Sequence, residues 1–168
     1  MLQFSDFTCP TFRNLTAAFR NVNGKCYFIT DRGCQENGAR GCTFQQAQDQ
    51  CKTAFGAGIF GKVFEPMNIE DNDAVLKAAN ELDTNIRSAP DPSSARYWIG
   101  VSNTPLGLIY KSNNKPVSIS TIPWASGEPS MTASETQYIF ADSYSLKWSS
   151  ISYSWPYRQT ICETSFPS

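Results

Sequence analysis

Six cysteines combined with a complete lack of histidine constrain this 168-residue chain more than any other feature. No two cysteines have the C-x-x-C spacing that zinc sites favour, and histidine, the other common zinc ligand, is missing. An even number of cysteines beside only 17% charged residues is typical of a disulfide-stapled extracellular domain. Sequence alone leaves fifteen pairings open among Cys9, Cys26, Cys34, Cys42, Cys51 and Cys162.

Length and charge narrow the class further. A chain of this size with 40% hydrophobic residues is expected to form one domain, residues 1–168. Its net charge of -1 gives no field that would recruit nucleic acid or an anionic membrane. No apolar run approaches the roughly 20 residues of a membrane span, and residues 1–7 lack the features of a signal peptide. We therefore expect a secreted chain whose signal has been removed or whose Met1 is not native.

The sequence predicts two helices. Thr43 and Gln46 have capping-box spacing, and Ala47, Cys51 and Phe55 follow at intervals of four, which predicts a first helix from about Thr43. Two glycines just beyond Phe55 should end it.

A second helix is expected from about Asn68 to Leu82, with Val75, Ala79 and Leu82 as its buried stripe. Residues 65–73 contain several acids but no EF-hand spacing, so we interpret them as a charged helix start on the surface.

Short aromatic and β-branched segments predict strands around these helices. An Asn23-Gly24 turn leads into a strand over 25–30 and indicates an N-terminal hairpin. Further strands are expected at 97–101, 106–110, 138–141, 146–149 and 160–163. Residues 111–135 are too long and polar for a plain turn and should form a structured loop, where binding residues tend to lie. The chain is therefore predicted to be α+β.

Several of these segments together resemble the C-type lectin-like domain family. The residues that carry the resemblance are Cys26-Tyr27-Phe28, Thr43 through Cys51, Tyr97-Trp98-Ile99-Gly100-Val101, Trp124-Ala125-Ser126-Gly127-Glu128-Pro129-Ser130 and Ile161-Cys162-Glu163. The segment at 97–101 is similar to the family's W-I-G-L core strand, and the segment at 124–130 to its W-x-x-G-E-P-N loop. The resemblance covers about residues 9–163 and implies two helices, antiparallel sheets and a long structured loop.

The resemblance also selects disulfides, namely Cys51 with Cys162 and Cys9 with Cys26, which leaves Cys34 with Cys42. A bridge closing a loop of about 100 residues is worth about 4.7 kcal/mol on the chain-entropy model, so the first is the main staple. The family's inner bridge between late strands is missing, because Tyr138 and its neighbours stand where its first cysteine would fall.

Sugar-binding members of the family hold a calcium ion in the long loop, and the resemblance maps its ligands onto this chain. The E-P-N triplet becomes Glu128-Pro129-Ser130, the next glutamate matches Glu135, and the W-N-D triplet becomes Trp148-Ser149-Ser150. Calcium prefers six to eight oxygens, several of them anionic. Serine replaces three side-chain ligands here, so the implied calcium site is degenerate. An ion bound there would be held by Glu128 and Glu135 as metal ligands.

Aromatic residues add to the candidate binding surface. Trp98, Trp124 and Trp148 match packing positions of the family and are expected in the core. Exposed aromatics are expected in residues 152–157, where Trp155 could serve as a platform for a sugar or a protein beside Ser149 and Ser150.

Function follows from these sites as a set of hypotheses. The first is a secreted module that binds a glycan or cell-surface glycoprotein through Glu128, Ser130, Glu135, Ser149, Ser150 and Trp155. The alternatives are a calcium-independent protein-interaction domain and a mineral- or ice-binding surface of the same fold. No enzyme is expected, because the usual histidine base is missing and the cysteines should all be paired. Asn14 begins an N-glycosylation sequon.

Overall fold

The structure, a computed structural model, describes residues 18–22, 25–30, 42–54, 60–86, 96–129, 136–152 and 159–165. Within these residues, helix α1 spans Phe44–Thr53 and helix α2 spans Ile69–Ile86. Neither helix has the length and apolar character needed to cross a membrane.

Both helix starts follow the capping chemistry of the sequence. The backbone N–H of Gln46 donates to Thr43 Oγ1 (3.2 Å), and the N–H of Thr43 donates to Gln46 Oε1 (2.9 Å), which confirms the predicted capping box. At α2, Asn68 Oδ1 accepts from the N–H of Asp71 at 2.7 Å. This helix ends at Ile86 rather than at the predicted Leu82.

The described strands form one sheet in the order β1-β2-β8-β4-β6-β7, with β3 paired to β8 and β5 to β4. All pairs are antiparallel except β4 with β8, which run parallel. The strands are β1 Ala18–Val22, β2 Lys25–Thr30, β3 Lys62–Val63, β4 Arg96–Thr104, β5 Gly107–Tyr110, β6 Gln137–Asp142, β7 Trp148–Ile151 and β8 Gln159–Ser165. The two helices and this sheet confirm the predicted α+β class.

The central strand β4 separates two groups of core residues. Tyr97 and Ile99 pack in one cluster with Val75 and Ala79 of α2, whereas Trp98 packs in another with Phe44 of α1 and Cys162 of β8. Successive side chains of a strand point to opposite faces, so the two helices cover opposite faces of β4. The Trp98 ring meets Phe44 edge-on at a centroid distance of 5.6 Å, and its Nε1 donates to the Cys42 carbonyl at 2.7 Å.

The long-range disulfide joins these layers. Cys51 of α1 is bonded to Cys162 of β8, as predicted. Cys26 and Cys42 each take part in a disulfide as well, so none of the four cysteines that the structure describes is free. Cys9 and Cys34 lie outside the described residues, and the pairings Cys9–Cys26 and Cys34–Cys42 therefore stay predictions.

The prediction that residues 65–73 form a charged surface stretch is wrong for two of its acids. Glu65 is only 2% exposed and Asp71 is also buried. Glu65 accepts hydrogen bonds from Lys62 and Ser112, and Asp71 accepts from the Tyr27 hydroxyl and the N–H of Met67. Burial is tolerated because each carboxylate receives hydrogen bonds from groups of the protein.

Candidate functional site

The segment from Trp124 to Pro129, together with strand β7, forms a surface that we call the loop face. The backbone fixes the segment to the strand: Trp148 N–H donates to Pro123 O at 2.7 Å, and Ala125 N–H donates to Trp148 O at 2.8 Å. The rings of Trp124 and Trp148 meet edge-on at 6.4 Å. The loop therefore enters its turn from a defined position on the sheet.

A tight turn then positions Glu128. Gly127 has φ of +80°, in the region that favours glycine, and Glu128 N–H donates to Ala125 O at 3.0 Å. The Glu128-Pro129 peptide bond is cis. The half-buried Glu128 carboxylate therefore leaves the turn beside strand β7.

Ser150 holds the Glu128 carboxylate. Glu128 Oε2 accepts from the Ser150 hydroxyl at 2.9 Å and from the Ser150 N–H at 3.3 Å. Hydrogen bonds to an ionised acceptor are stronger than those between neutral groups. The structure therefore brings together two of the predicted site residues, although they bind each other instead of converging as separate ligands.

A buried hydrogen bond anchors strand β7 to helix α2. Trp148 is fully buried and its Nε1 donates to Asn72 Oδ1 at 2.8 Å, while Asn72 is itself fully buried. Asn72 therefore supports the loop face from its buried side, through Trp148. The sequence analysis did not identify this residue. Its position in a polar helix start carries no signal for this role, because its partner lies 76 residues away.

The other predicted site residues are placed differently. Ser149 is half-buried, and strand alternation puts it on the opposite face of β7 from Trp148 and Ser150. Ser130, Glu135 and Trp155 lie outside the described residues, as does Asn14.

The donors at the loop face can be compared with the ligands that a calcium ion requires. Glu128 is the one carboxylate between Lys111 and Pro129, and one of its oxygens accepts both Ser150 hydrogen bonds. The described residues contain no group of three or more His, Cys, Asp or Glu side chains that could hold a metal. Because calcium requires several anionic oxygens, this part of the site does not fit the ion.

The three tryptophans pack as their match to the packing positions of the family predicted. Trp98 and Trp148 are fully buried, and Trp124 is half-buried against the core. Tyr138 packs against both Phe44 and Trp98, at ring-centroid distances of 5.2 and 6.0 Å, in the region where the family's inner cysteine would stand. Aromatic packing therefore fills this position.

Solved C-type lectin-like structures resemble the chain over nearly its whole length. A mutant of the lectin CEL-I, from Cucumaria echinata, superposes with a TM-score of 0.63 at 15% identity, covering 93% of this chain and 100% of that one. Human lithostathine gives 0.62 at 17% identity, covering 99% and 96%. The cow CD23 carbohydrate-recognition domain, solved in the presence of a GlcNAc2Man3 oligosaccharide, gives 0.60 at 18%, covering 95% and 100%.

These comparisons establish the fold. No protein-family model and no curated protein matches the sequence. The structural matches, together with the two helices, the mixed sheet and the Cys51–Cys162 bridge, show that the chain has the C-type lectin-like fold.

Proposed function

We propose that this protein is a secreted, non-enzymatic binding module that recognises carbohydrate at its loop face without requiring a bound calcium ion. The observation that carries the proposal is the position of Glu128 at an exposed turn, fixed by two hydrogen bonds from Ser150. Sugar hydroxyls are hydrogen-bond donors, and a carboxylate is an acceptor with about four lone-pair positions. A fixed acceptor loses little side-chain entropy when it binds.

The surroundings of Glu128 support recognition of a polar ligand. Ser126, Gly127 and Pro129 are exposed around it, so backbone groups of the turn are presented to solvent with the carboxylate. The cow CD23 domain of the same fold was solved in the presence of an oligosaccharide, which supports a saccharide as the ligand class.

The donors at the described part of the loop face support recognition without calcium. A serine hydroxyl supplies neither the charge nor the reach of the aspartate or asparagine that the family uses. In this chain the Ser150 hydroxyl donates directly to Glu128, and this hydrogen bond fixes the carboxylate in place of a metal ion. The carboxylate is thereby oriented by a protein group.

The compartment and the lack of catalysis have their own support. The described cysteines are all in disulfides, which persist in oxidising extracellular environments. The chain has no histidine, and the solved structures that it resembles are lectin-type binding domains.

A glycan array tests the proposal. We expect the wild-type protein to bind a subset of glycans, and Glu128→Gln to weaken that binding at least about tenfold, since a hydrogen bond to a charged group is worth roughly 1.5–3 kcal/mol. Glu81→Gln makes the same charge change on an exposed position of α2 and should bind like the wild type. Equal binding by Glu128→Gln and Glu81→Gln, or no glycan bound by the wild type, would contradict the proposal.

A further inference from the structure

A second concave site lies away from the loop face, where α1, β3, β4 and the turn after β5 meet. It is a cleft of about 210 Å³ and shares no residue with the loop face. We call it the basic cleft, because three lysines and an exposed phenylalanine line it, namely Lys52, Lys62, Lys111 and Phe60. Glu65 and Ser112 also line it.

Among the described residues that line the basic cleft, Glu65 is the one acid, and the protein already neutralises it. Glu65 Oε1 accepts from Lys62 Nζ at 2.9 Å and from the Ser112 hydroxyl at 2.7 Å, and Oε2 accepts from the Ser112 N–H at 2.8 Å. Its side chain is almost completely buried. Lys62 is occupied by Glu65 and also lies 3.7 Å from Glu163 Oε1, so an anion entering the cleft meets the ammonium groups of Lys111 and Lys52.

Lys111 is held in place by an aromatic ring. Its Nζ lies 5.7 Å from the centroid of the Phe44 ring, a cation–π distance, and the side chain is half-buried. Its N–H donates to the Gly100 carbonyl at 2.9 Å, which fixes the backbone at the cleft. The ammonium group is thus positioned to pair with a ligand anion.

Lys52 approaches the cleft from the last turn of α1. Its ion pair with Asp49 is 3.9 Å long and both side chains are 62% exposed. Such a surface pair contributes about 0–1 kcal/mol, so Lys52 is able to exchange Asp49 for a ligand anion at little cost.

Phe60 gives the basic cleft an apolar side. Its ring is 72% exposed, although its backbone carbonyl accepts a hydrogen bond from the Thr164 hydroxyl of β8. An exposed aromatic ring on a fixed backbone is a surface on which the apolar face of a sugar ring can pack.

We propose that the basic cleft binds an acidic saccharide unit, with its sulfate or carboxylate group paired to Lys111 and Lys52 and its ring packed on Phe60. The volume of the cleft is about 210 Å³. It lies below the roughly 300–1,000 Å³ of sites for drug-sized ligands, so a single monosaccharide unit is the matching size.

Titrations of the 15N-labelled protein monitored by NMR test this proposal. The probes are galactose 6-sulfate, glucuronic acid, neutral galactose and inorganic sulfate. We expect the two acidic sugars to shift the amide signals of Gly100, Lys111 and Ser112, with affinities at least about fivefold above those of galactose and of sulfate. Equal affinity for galactose 6-sulfate and inorganic sulfate, or no shift at these amides, would overturn the assignment.

Matched double variants locate the site. Lys52→Gln/Lys111→Gln should lose at least about tenfold in affinity for the acidic sugars. Lys115→Gln/Lys147→Gln removes the same charge from two exposed positions outside the cleft and should bind like the wild type. Glu128→Gln should also keep this affinity, so that failure here and failure at the loop face are separately visible. Equal losses in both double variants would contradict the proposal.

Discussion

The buried carboxylate of Glu163, on β8, lies between Lys25 of β2 and Lys62 of β3, the two strands that pair with β8 at this residue. Lys62 Nζ is 3.7 Å from Oε1 and Lys25 Nζ is 3.9 Å from Oε2, beyond normal hydrogen-bond distance, and neither oxygen has a hydrogen bond from the described residues. Burial raises the pKa of Glu163 to about 7, and the opposing charges of the two lysines do not offset it. The charges of Asp71 and Glu65 raise the pKa of Glu163 further, and both Glu163 and Asp71 lie near Tyr27.

Glu163→Gln should change how stability depends on pH. Between the ordinary value of 4.5 and the folded value of about 7, the native state binds more protons than the unfolded chain, so Glu163 lowers stability as pH rises through this window. At pH 8 we expect the variant to be more stable than the wild type by up to about 3 kcal/mol. At pH 4 the charge-related difference should disappear.

Urea denaturation at pH 4, 6 and 8 measures this difference. Glu81→Gln, an exposed change, serves as the control and should follow the wild-type profile. If the wild type and Glu163→Gln had parallel profiles across the three pH values, the account of the buried carboxylate would be wrong.

Gly100 is required where β4 passes the segment after β3. A Cβ at this position would lie 2.7 Å from the Val63 carbonyl oxygen and 2.8 Å from Glu65 Cγ. Gly100→Ala should therefore cost about 1–3 kcal/mol through overpacking. Thermal unfolding followed by circular dichroism checks this, and an unchanged melting temperature would contradict the close approach.

At the scale of elements, the sequence correctly located the helices and strands that depend on interactions between residues close together in the chain. The Thr43–Gln46 capping box and the strand over 25–30 were predicted at their observed positions. Strand β3 was missed because its two residues pair with β8, about 100 residues later in the chain. The burial of Glu65 could not be predicted for the same reason, since Ser112 lies 47 residues away.

The candidate site likewise contains features that the sequence predicted and features that it did not. The resemblance singled out Glu128 and Ser150 as functional positions, but the hydrogen bond between them depends on where the loop meets β7. The basic cleft was not predicted, because its lysines come from separate elements and no sequence spacing relates them.

The start of α2 offers a test at this scale. Asn68→Ala removes the acceptor for the Asp71 N–H and should cost about 1 kcal/mol. Asn68→Asp keeps a capping oxygen and should retain most of the stability. Chemical denaturation of both variants checks the cap, and equal losses would show that the Asn68 side-chain oxygen does not act as one.

At the scale of the whole molecule, the fold is shared with proteins that are only 15–18% identical to it. What the resemblance captured was a set of packing positions, such as Trp98 and Trp148, and the cysteines that join α1 to β8. Ligand chemistry depends on fewer positions, and the resemblance maps three of those onto serines of this chain. Fold was therefore easier to predict than ligand.

The Cys51–Cys162 bridge should make a large contribution to stability. It spans 111 residues, for which the chain-entropy model gives about 4–5 kcal/mol. We expect Cys51→Ala/Cys162→Ala to lose about this amount in urea denaturation, with the loop face retained wherever the variant remains folded. A loss below about 1 kcal/mol would contradict the role of this bridge as the main staple.

The most direct test of the loop-face account is glycan binding measured with and without a calcium chelator. For the glycans that bind the wild type and not Glu128→Gln, we expect affinities in excess EDTA and in millimolar calcium to agree within about twofold, because Ser150 fixes the Glu128 carboxylate. Binding that vanishes in EDTA and returns with calcium would contradict the account.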